Sequence, residues 1–223
     1  MVLQDRAKAT REAILEGAAV VFEEHGYGSA SLTQVSEAAQ VTKGALYFHF
    51  QSKEELARAV IEEQHRVVLE HSAAILAGNH SGLTTMILMC RAFGLQLINE
   101  PVVKAGIRLT FEAETFGQPV RGPYDDWIAV MEQLVIQGKE ENQIRPTVDP
   151  AVLARYVVAS FTGVQMVSDV LTGRADLMQR IEEMWALLLP GIMHADSHED
   201  PHTLSRLVSV GDLGPEPNRA AGS

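Results

Sequence analysis

A ten-residue stretch near the N-terminus, VTKGALYFHF (residues 41–50), combines a cation, a glycine and several ring-bearing side chains. Lys43 can reach a guanine edge or a phosphate, and Tyr47 and His49 can donate hydrogen bonds to phosphates. Gly44 costs a helix about 1 kcal/mol relative to alanine, so a bare backbone must be favoured at this position. One cause of such a preference is the close approach of another molecule. These residue types therefore indicate contact with nucleic acid.

The stretch lies among signals for short helices. Ser31 and Gln34 form a capping box that opens a helix from Leu32 to Ala39. Thr42 is a good N-cap for a second short helix that reaches Phe48. Two short helices joined by a tight turn, behind an amphipathic helix that stops near Gly26, form the pattern of a helix-turn-helix unit. The second helix of such a unit enters the major groove of DNA.

Apolar residues of the second helix must hold it against its neighbours. We expect four residues to do so: Val41, Leu46, Phe48 and Phe50. The spacing alone also allows Tyr47 and His49 to be ordinary core or boundary residues. A further cap at Ser52, with Glu55 three residues later, opens a long helix to about Ala77.

Charge limits where DNA could bind. The 223 residues carry a formal net charge of −11, with 46% apolar and 21% charged residues, which is ordinary for a globular chain. Residues 1–58 hold six basic groups against eight acidic ones, a net of −2, whereas the remainder holds 12 against 21, a net of −9. We therefore expect only the N-terminal end to touch DNA.

Signals for other chemistry are weak. Cys90 lies in an apolar segment and is expected to be a buried thiol, and the chain lacks phosphate-binding glycine motifs and nucleophile elbows. We expect neither an enzyme nor a cofactor. Pro201 interrupts a group of potential metal ligands, so we expect a solvated tail there and no metal: His194, Asp196, His198, Glu199, Asp200 and His202. Without a signal-peptide core or a membrane-spanning apolar run, the chain is expected to be cytoplasmic, with no membrane contact.

About fifty N-terminal residues, ATREAILEGAAVVFEEHGYGSASLTQVSEAAQVTKGALYFHFQSKEELA, resemble the DNA-binding domain of the tetracycline-repressor (TetR) family. Within them, LYFHFQSKEEL reproduces the family signature in order and spacing. VTKGALYFHF is similar to the gamma-butyrolactone autoregulator receptors, with looser similarity in AGIRLTFE, PYDDW and MWALLLPGI. The resemblance implies a repressor that binds a palindromic operator as a homodimer and leaves it when a small lactone binds. By carry-over, the DNA-binding positions are Thr42, Lys43, Tyr47, His49 and Lys53. Gly44, which allows close approach of the backbone, completes the predicted DNA-binding set.

The remaining chain reads as helices, which predicts an all-α, TetR-like fold of about nine to ten helices. We expect a helix-turn-helix domain over residues 1–53, a ligand-binding and dimerisation domain over 54–195 and a disordered tail over 196–223. Pro101 divides two helices, and Asp149 with Pro150 opens another. The last helix carries Leu177, Ile181, Met184, Trp185 and Leu188 on one face, and Pro190 kinks or ends it. The last two helices are expected to pack against their copies in a four-helix bundle.

Polar residues that interrupt apolar stripes are the best indication of a ligand pocket. Gln64 and His71 interrupt the stripe of Leu56, Val60 and Val67, and Thr162 and Gln165 lie one turn apart on an apolar helix. These four residues are also compatible with partly exposed faces or with hydrogen bonds inside the core. A tryptophan after GPYDD, here Trp127, is where the lactone receptors keep a ligand-stacking residue.

Four methionines would suit an adaptable pocket lining, although their helical spacing also fits simple core: Met86, Met89, Met131 and Met166. The predicted ligand-binding set is Trp127, Gln64, Thr162, Gln165, Met89 and Met131. The main alternative keeps the DNA-binding end but responds to a butenolide, an antibiotic or no ligand. The sequence does not separate these possibilities, and a helical enzyme is disfavoured because no acid, base and nucleophile set converges.

Overall fold

The computed structural model describes residues 2–117 and 119–209, and within them the fold is all-α, as predicted. Ten α-helices follow one another: α1 (Val2–Ser29), α2 (Leu32–Ala38), α3 (Lys43–His49), α4 (Lys53–Leu76), α5 (Gly82–Asn99), α6 (Pro101–Glu112), α7 (Gly122–Glu140), α8 (Pro150–Thr172), α9 (Leu177–Ile192) and α10 (Pro201–Ser205). Short 3-10 turns cover Ala113–Thr115 and Arg206–Val208. The one extended pairing in the described part is an isolated bridge between Ile144 and Met193.

The N-terminal core is formed by α1 to α4 together with α6. Phe22 and Ile14 of α1, Leu46 of α3 and Leu56 of α4 are all buried in one cluster, to which α6 adds Leu109. Because α6 lies within the predicted ligand-binding and dimerisation domain, the core of the DNA-binding end is completed by that part of the chain. Residues on both sides of the predicted boundary near residue 53 therefore share one hydrophobic core.

The end of α1 differs from its predicted end at Gly26. The helix continues to Ser29 across a kink at Gly26, whose φ of 69° and ψ of 173° are non-helical. A Cβ on this residue would also lie 2.7 Å from a guanidinium nitrogen of Arg108. The positive φ favours glycine at this position, whereas the guanidinium end of Arg108 could move aside.

The second core surrounds α5, whose residues are buried on most sides. Met86 and Leu97 of α5 pack with Met131 of α7, Phe161 of α8 and Trp185 of α9. Asp149 caps α8 by accepting a hydrogen bond from the Val152 N–H at 3.0 Å, as the sequence predicted. Pro190 does not end α9, which continues to Ile192.

Helix α8 keeps one side outside this core, although it is rich in apolar residues. It alone among the described helices is long and apolar enough to cross a membrane by length and composition, with a mean hydropathy of 1.3, and 33% of that window is buried. Instead it packs against α7 and α9. Large apolar side chains of α8 and α9 that remain exposed are Val152, Tyr156, Met166, Val167, Val170, Leu171 and Leu187.

The predicted tail is ordered over its first part, which corrects the prediction for residues 201–208. Asp200 accepts a hydrogen bond from the Thr203 N–H at 2.8 Å and so caps α10, where Pro201 follows it. Leu204 and Val208 lie in the second core, next to α5 and α9. The part of the predicted tail from 210 to 223 lies outside the described residues.

If α10 is an integral part of the core, Leu204→Ala should lower the free energy of unfolding by about 2 to 5 kcal/mol, because it leaves a cavity. Arg206→Ala, at an exposed position of the same segment, is the matched control and should change it by less than about 0.5 kcal/mol. Urea unfolding followed by circular dichroism measures both. Equal stability of the two variants would show that this segment does not pack as described.

Candidate nucleic-acid interface and ligand pocket

Helix α3 is fixed by a cap and by two buried side chains. The Thr42 Oγ1 accepts a hydrogen bond from the Ala45 N–H at 3.1 Å, which confirms Thr42 as the N-cap. Leu46 and Phe50 are 1% and 2% exposed and lie in the N-terminal core. One face of α3 is thereby anchored and the opposite face is held towards solvent.

The solvent-facing side of α3 carries most of the predicted DNA-binding residues. Lys43, Gly44 and Tyr47 are exposed, and His49 is half-buried. Lys43 has no hydrogen bond or ion pair to any residue that the structure describes. Its ammonium group is therefore available to a phosphate or a base edge.

Phe48 was predicted to anchor α3, and this prediction is wrong. The side chain is 76% exposed, and its ring meets that of His49 edge-on at 5.1 Å. The signal was present in the spacing, since Leu46 and Phe50 are four residues apart and face inward, which places Phe48 on the other side. An exposed phenyl ring on this face can contact the methyl group of thymine.

Gly44 has no reason within the chain to be a glycine. It lies inside α3, and a Cβ built on it would have only the Thr42 Oγ1 within 4 Å, at 3.9 Å. Neither a positive φ nor a packed neighbour requires the missing side chain. The packing of the described residues therefore leaves room for a side chain at this position.

Lys53 is placed differently from the other predicted DNA-binding residues. Its Nζ donates hydrogen bonds to the carbonyl oxygens of Tyr27 at 2.7 Å, Ala30 at 2.9 Å and Gly28 at 3.3 Å. It also lies 4.4 Å from the centroid of the Tyr27 ring. The ammonium group is therefore engaged inside the protein.

A buried pocket opens between α4, α5, α6, α7 and α8. Its empty volume is about 640 Å³, including the part open to solvent. The lining contains five of the six predicted ligand-binding residues: Gln64, Trp127, Met131, Thr162 and Gln165. The other lining residues are Cys90, Phe93, Ile107, Thr110, Pro123, Tyr124, Val157, Val158 and Phe161. None of these side chains carries a formal charge at neutral pH, since burial raises the pKa of the Cys90 thiol to about 12 and also raises that of Tyr124.

Two carboxamides in the pocket lack hydrogen-bond partners. Gln64 and Gln165 are 2% and 3% exposed, and the Oε1 atom of each is buried without a partner among the described residues. Thr162 instead donates its hydroxyl hydrogen to the Val158 carbonyl at 2.8 Å, which leaves its lone pairs available. Because an unpaired buried polar group costs about 1 to 3 kcal/mol, a ligand that pairs with these groups would recover that cost.

Three stacked rings form one wall of the pocket. Trp127 stacks on Phe93 with centroids 5.2 Å apart, and Phe93 stacks on Phe161 at 5.3 Å. The sequence identified Trp127 but missed both phenylalanines, because an aromatic residue on an apolar helix gives no sign of facing a cavity. The stack provides a flat apolar surface against which a ligand can pack.

Some residues of the predicted pocket lie elsewhere. Met89 and Met86 are buried in the core and do not line the cavity, whereas Met166 is exposed on α8. His71 is exposed, because the inward stripe of α4 continues from Gln64 through Val68 and Ser72. A methionine in an apolar helix fits either place, and only the packing decides between them.

Helix α6 joins the pocket to the DNA-binding end. Ile107 and Thr110 line the pocket. Gly106 meets Gln64 so closely that a Cβ would lie 2.3 Å from the Gln64 Cβ. On the side of α6 that meets α1, Arg108 donates to the Glu23 carbonyl and Glu112 accepts from the Tyr27 N–H at 2.6 Å.

The described residues do not form a metal centre. Residues 2–117 and 119–209 contain no group of three or more His, Cys, Asp or Glu side chains arranged to hold a metal ion. In the cluster near the C-terminus, Glu199 accepts from the Gln143 amide and Asp200 caps α10. These carboxylates have structural partners.

Two family models match the chain, one over the part that contains α3 and one over the part that contains most of the pocket lining. The family described as bacterial regulatory proteins, tetR family, matches residues 14–60, and the tetracyclin repressor-like C-terminal domain matches residues 80–194. The A-factor receptor protein of Streptomyces griseus is 39% identical over 194 residues, which cover 87% of this chain and 67% of that protein.

Two solved structures are similar over nearly their whole length. A gamma-butyrolactone receptor described as ArpA-like has 26% identity and a TM-score of 0.75, with 91% of this chain and 97% of that one covered. CprB from Streptomyces coelicolor, solved in complex with its biological operator sequence, has 28% identity and a TM-score of 0.77, with coverage of 91% and 98%.

Gly44→Ala separates the effect of residue 44 on the stability of the fold from its effect on DNA binding. It should raise the free energy of unfolding, by up to about 1 kcal/mol, because alanine favours a helix and nothing in the chain meets its Cβ. The same change should weaken binding to a duplex that the wild-type protein selects from a random pool. Thermal unfolding and a mobility shift measure the two effects. Unchanged duplex affinity would contradict close approach at Gly44.

Proposed function

Because the chain belongs to the tetR family of bacterial transcriptional regulators, we propose that it represses transcription as a homodimer on a palindromic operator and that a small lactone of the gamma-butyrolactone type releases it. Its targets would be genes for antibiotics or other secondary metabolites. One observation carries the ligand part of the proposal. It is the buried, uncharged pocket with two unpartnered carboxamides, which shares α6 with the DNA-binding end.

Operator binding is assigned to α3. Lys43 supplies the exposed cation, Tyr47 and His49 supply hydrogen-bond donors for phosphates, and Gly44 lets the backbone approach the duplex. Thr42 caps the helix and is itself exposed beside the groove-facing side. The net charge of −9 over residues 59–223 keeps the rest of the molecule away from DNA, so that binding is confined to this end.

A homodimer is supported by the apolar side chains that α8 and α9 leave exposed. Val170 is 84% exposed and Leu187 is 85% exposed, and Val167 and Leu171 lie beside Val170 on α8. A second copy that places the same face against this one would bury them with two-fold symmetry. Two copies of α3 would then read two half-sites of a palindrome, about 34 to 36 Å or a multiple of this apart.

The pocket favours a neutral ligand of mixed polarity. Its lining has no charged side chain, so a charged ligand would be buried without a counter-ion. The ring stack of Trp127, Phe93 and Phe161 suits an apolar chain or ring. The unpaired Oε1 atoms of Gln64 and Gln165 can accept from a hydroxyl group, and the amide nitrogens can donate to a carbonyl oxygen, each hydrogen bond contributing about 0.5 to 1.5 kcal/mol. A gamma-butyrolactone with an alkyl side chain has both kinds of group.

Release follows if the ligand binds best to a conformation that cannot bind DNA. A ligand that enters between Gln64 and Thr110 presses on α6, whose other side holds α1 through Arg108 and Glu112. A change from 99:1 to 1:99 in favour of the released form needs a difference of about 5.5 kcal/mol in binding free energy. Most of it must come from apolar enclosure, since the lactone has few polar atoms.

The exposed apolar face gives a test of dimerisation. Leu187→Glu should produce monomers that lose specific operator binding, because a charge would be buried in the interface. Ala73→Glu, which adds the same charge at an exposed position of α4, should remain dimeric. Sedimentation and mobility shifts measure both. A Leu187→Glu dimer that still binds DNA would place the interface elsewhere.

Trp127→Ala tests the ligand part of the proposal. Operator affinity should stay within a few-fold, while the lactone concentration needed for release should rise roughly 100-fold, because the half-buried Trp127 ring would lose about 100 Å² of apolar contact with the ligand, or about 2.5 kcal/mol. Trp127→Phe should raise it less, and Gln64→Ala should raise it moderately. The probe is a synthetic gamma-butyrolactone with an alkyl chain, titrated against the protein bound to a selected duplex.

Two outcomes of this titration are informative against the proposal. Release of the Trp127→Ala protein at the wild-type concentration would place the pocket elsewhere. A wild-type protein that stays on the duplex at every lactone concentration would show that it responds to a different ligand.

A further inference from the structure

The ammonium group of Lys53 has no free hydrogen in the structure. It has three N–H bonds, and it donates to three carbonyl oxygens, those of Tyr27, Gly28 and Ala30. These carbonyls belong to the kinked end of α1 and the turn after it, where a helix leaves its last carbonyl groups unpaired. A cation at this end of a helix is also favoured by the helix dipole.

The ring of Tyr27 contacts both the Lys53 ammonium group and the ring of Phe116. The Lys53 Nζ lies 4.4 Å from the centroid of the ring, which is within the range of a cation–π interaction. The ring also stacks on Phe116 with centroids 4.1 Å apart. The Tyr27 N–H donates to Glu112 of α6 at 2.6 Å. Tyr27 therefore stands between Lys53 and the sensor half.

Lys53 is close to the recognition helix in sequence. Helix α3 ends at His49, and α4 begins at Lys53 after a short turn. Holding Lys53 to the end of α1 therefore also holds the end of α3 relative to α1. A phosphate contact would require Lys53 to give up three hydrogen bonds and the aromatic face together.

We propose that Lys53 is a positioning residue, which ties the start of α4 to the end of α1 and so fixes the orientation of α3, and that it does not contact the DNA backbone. This differs from the role that carry-over from the family suggests for this position. The inference rests on operator binding but not on the identity of the ligand, so failure of lactone release would leave it intact.

The salt dependence of operator affinity separates positioning from phosphate contact. The slope of log K against log salt is negative. Each phosphate contact that is lost reduces the size of this slope by about one, because fewer counterions are released. Lys43→Met is the reference and should weaken binding with the size of the slope reduced by about one. Lys53→Met should weaken binding roughly 5- to 10-fold at every salt concentration with the slope unchanged. Both variants are titrated on a duplex selected by the wild-type protein from a random pool.

Two further variants test the contact between Lys53 and the Tyr27 ring without removing any cation. Tyr27→Leu takes away the aromatic face under the ammonium group and should also weaken binding at unchanged slope. Tyr27→Phe keeps the ring and should behave as the wild type, since neither the cation–π contact nor the stack uses the hydroxyl. Thermal unfolding of all four variants should show loss of stability for Lys53→Met and Tyr27→Leu but not for Lys43→Met.

The proposal is overturned if Lys53→Met reduces the size of the slope by about one, as Lys43→Met does, because Lys53 would then meet a phosphate. It is equally overturned if Lys53→Met binds as tightly as the wild type at every salt concentration. Should Lys53→Met fail to fold, Tyr27→Leu decides: wild-type affinity in that variant overturns the proposal, and weaker binding at unchanged slope supports it.

Discussion

Helix α6 holds the two halves of the protein together, because one side packs on α1 and another lines the pocket. Its contact with α1 combines buried apolar packing at Leu109 with hydrogen bonds from Arg108 and to Glu112. Its contact with α4 is closed by Gly106, which leaves space only for the Gln64 side chain. Since interiors are densely packed, a helix held on both sides cannot move without moving its neighbours. The pocket and helix α3 are therefore joined by continuous packing.

Some polar groups near α6 are hydrogen-bonded within the protein, and others have no hydrogen-bond partner. At the end of α1, the Tyr27 N–H donates to Glu112 of α6 and the Tyr27 carbonyl accepts from Lys53 of α4, which fixes one arrangement of the backbone. In the pocket, the oxygens of Gln64 and Gln165 are buried without partners. Buried polar groups in proteins are nearly always paired, so the unpaired ones are the groups that a ligand would engage. The polar groups at the end of α1 are thus paired within the protein, whereas the two oxygens in the pocket are left for a ligand to pair with.

Much of the fold was predictable because local signals agreed with one another. Ser31, Thr42 and Asp149 all cap the helices that they were expected to cap, and Pro101 begins α6. The order in the tail could also have been found, since Asp200 and Pro201 repeat the Asp149 and Pro150 start of α8. The polar composition around them outweighed that signal. Phe48 shows the same conflict, because its hydrophobicity favours the core whereas its helical spacing from Leu46 and Phe50 places it in solvent.

The residues of the site could be predicted only where a local sequence signal marks them. Gln64, Thr162 and Gln165 interrupt apolar stripes, and Trp127 follows from the resemblance to the lactone receptors. The structure brings all four together in the pocket. Met89 and Met131 have equivalent sequence surroundings, yet only Met131 lines the cavity, since the choice depends on how α5 and α7 meet. Whether Lys53 reaches outward or folds back depends on the carbonyl groups at the end of α1, twenty-odd residues away, which no local pattern describes.

The most direct test of coupling through α6 compares the lactone affinity of the free protein with that of the operator-bound protein, measured by tryptophan fluorescence with an alkyl gamma-butyrolactone. Coupling between two sites is reciprocal, so the lactone should bind the operator complex more weakly by the same factor by which it weakens operator binding. If the lactone binds both forms with equal affinity, the pocket and α3 are not energetically connected and α6 does not carry the signal.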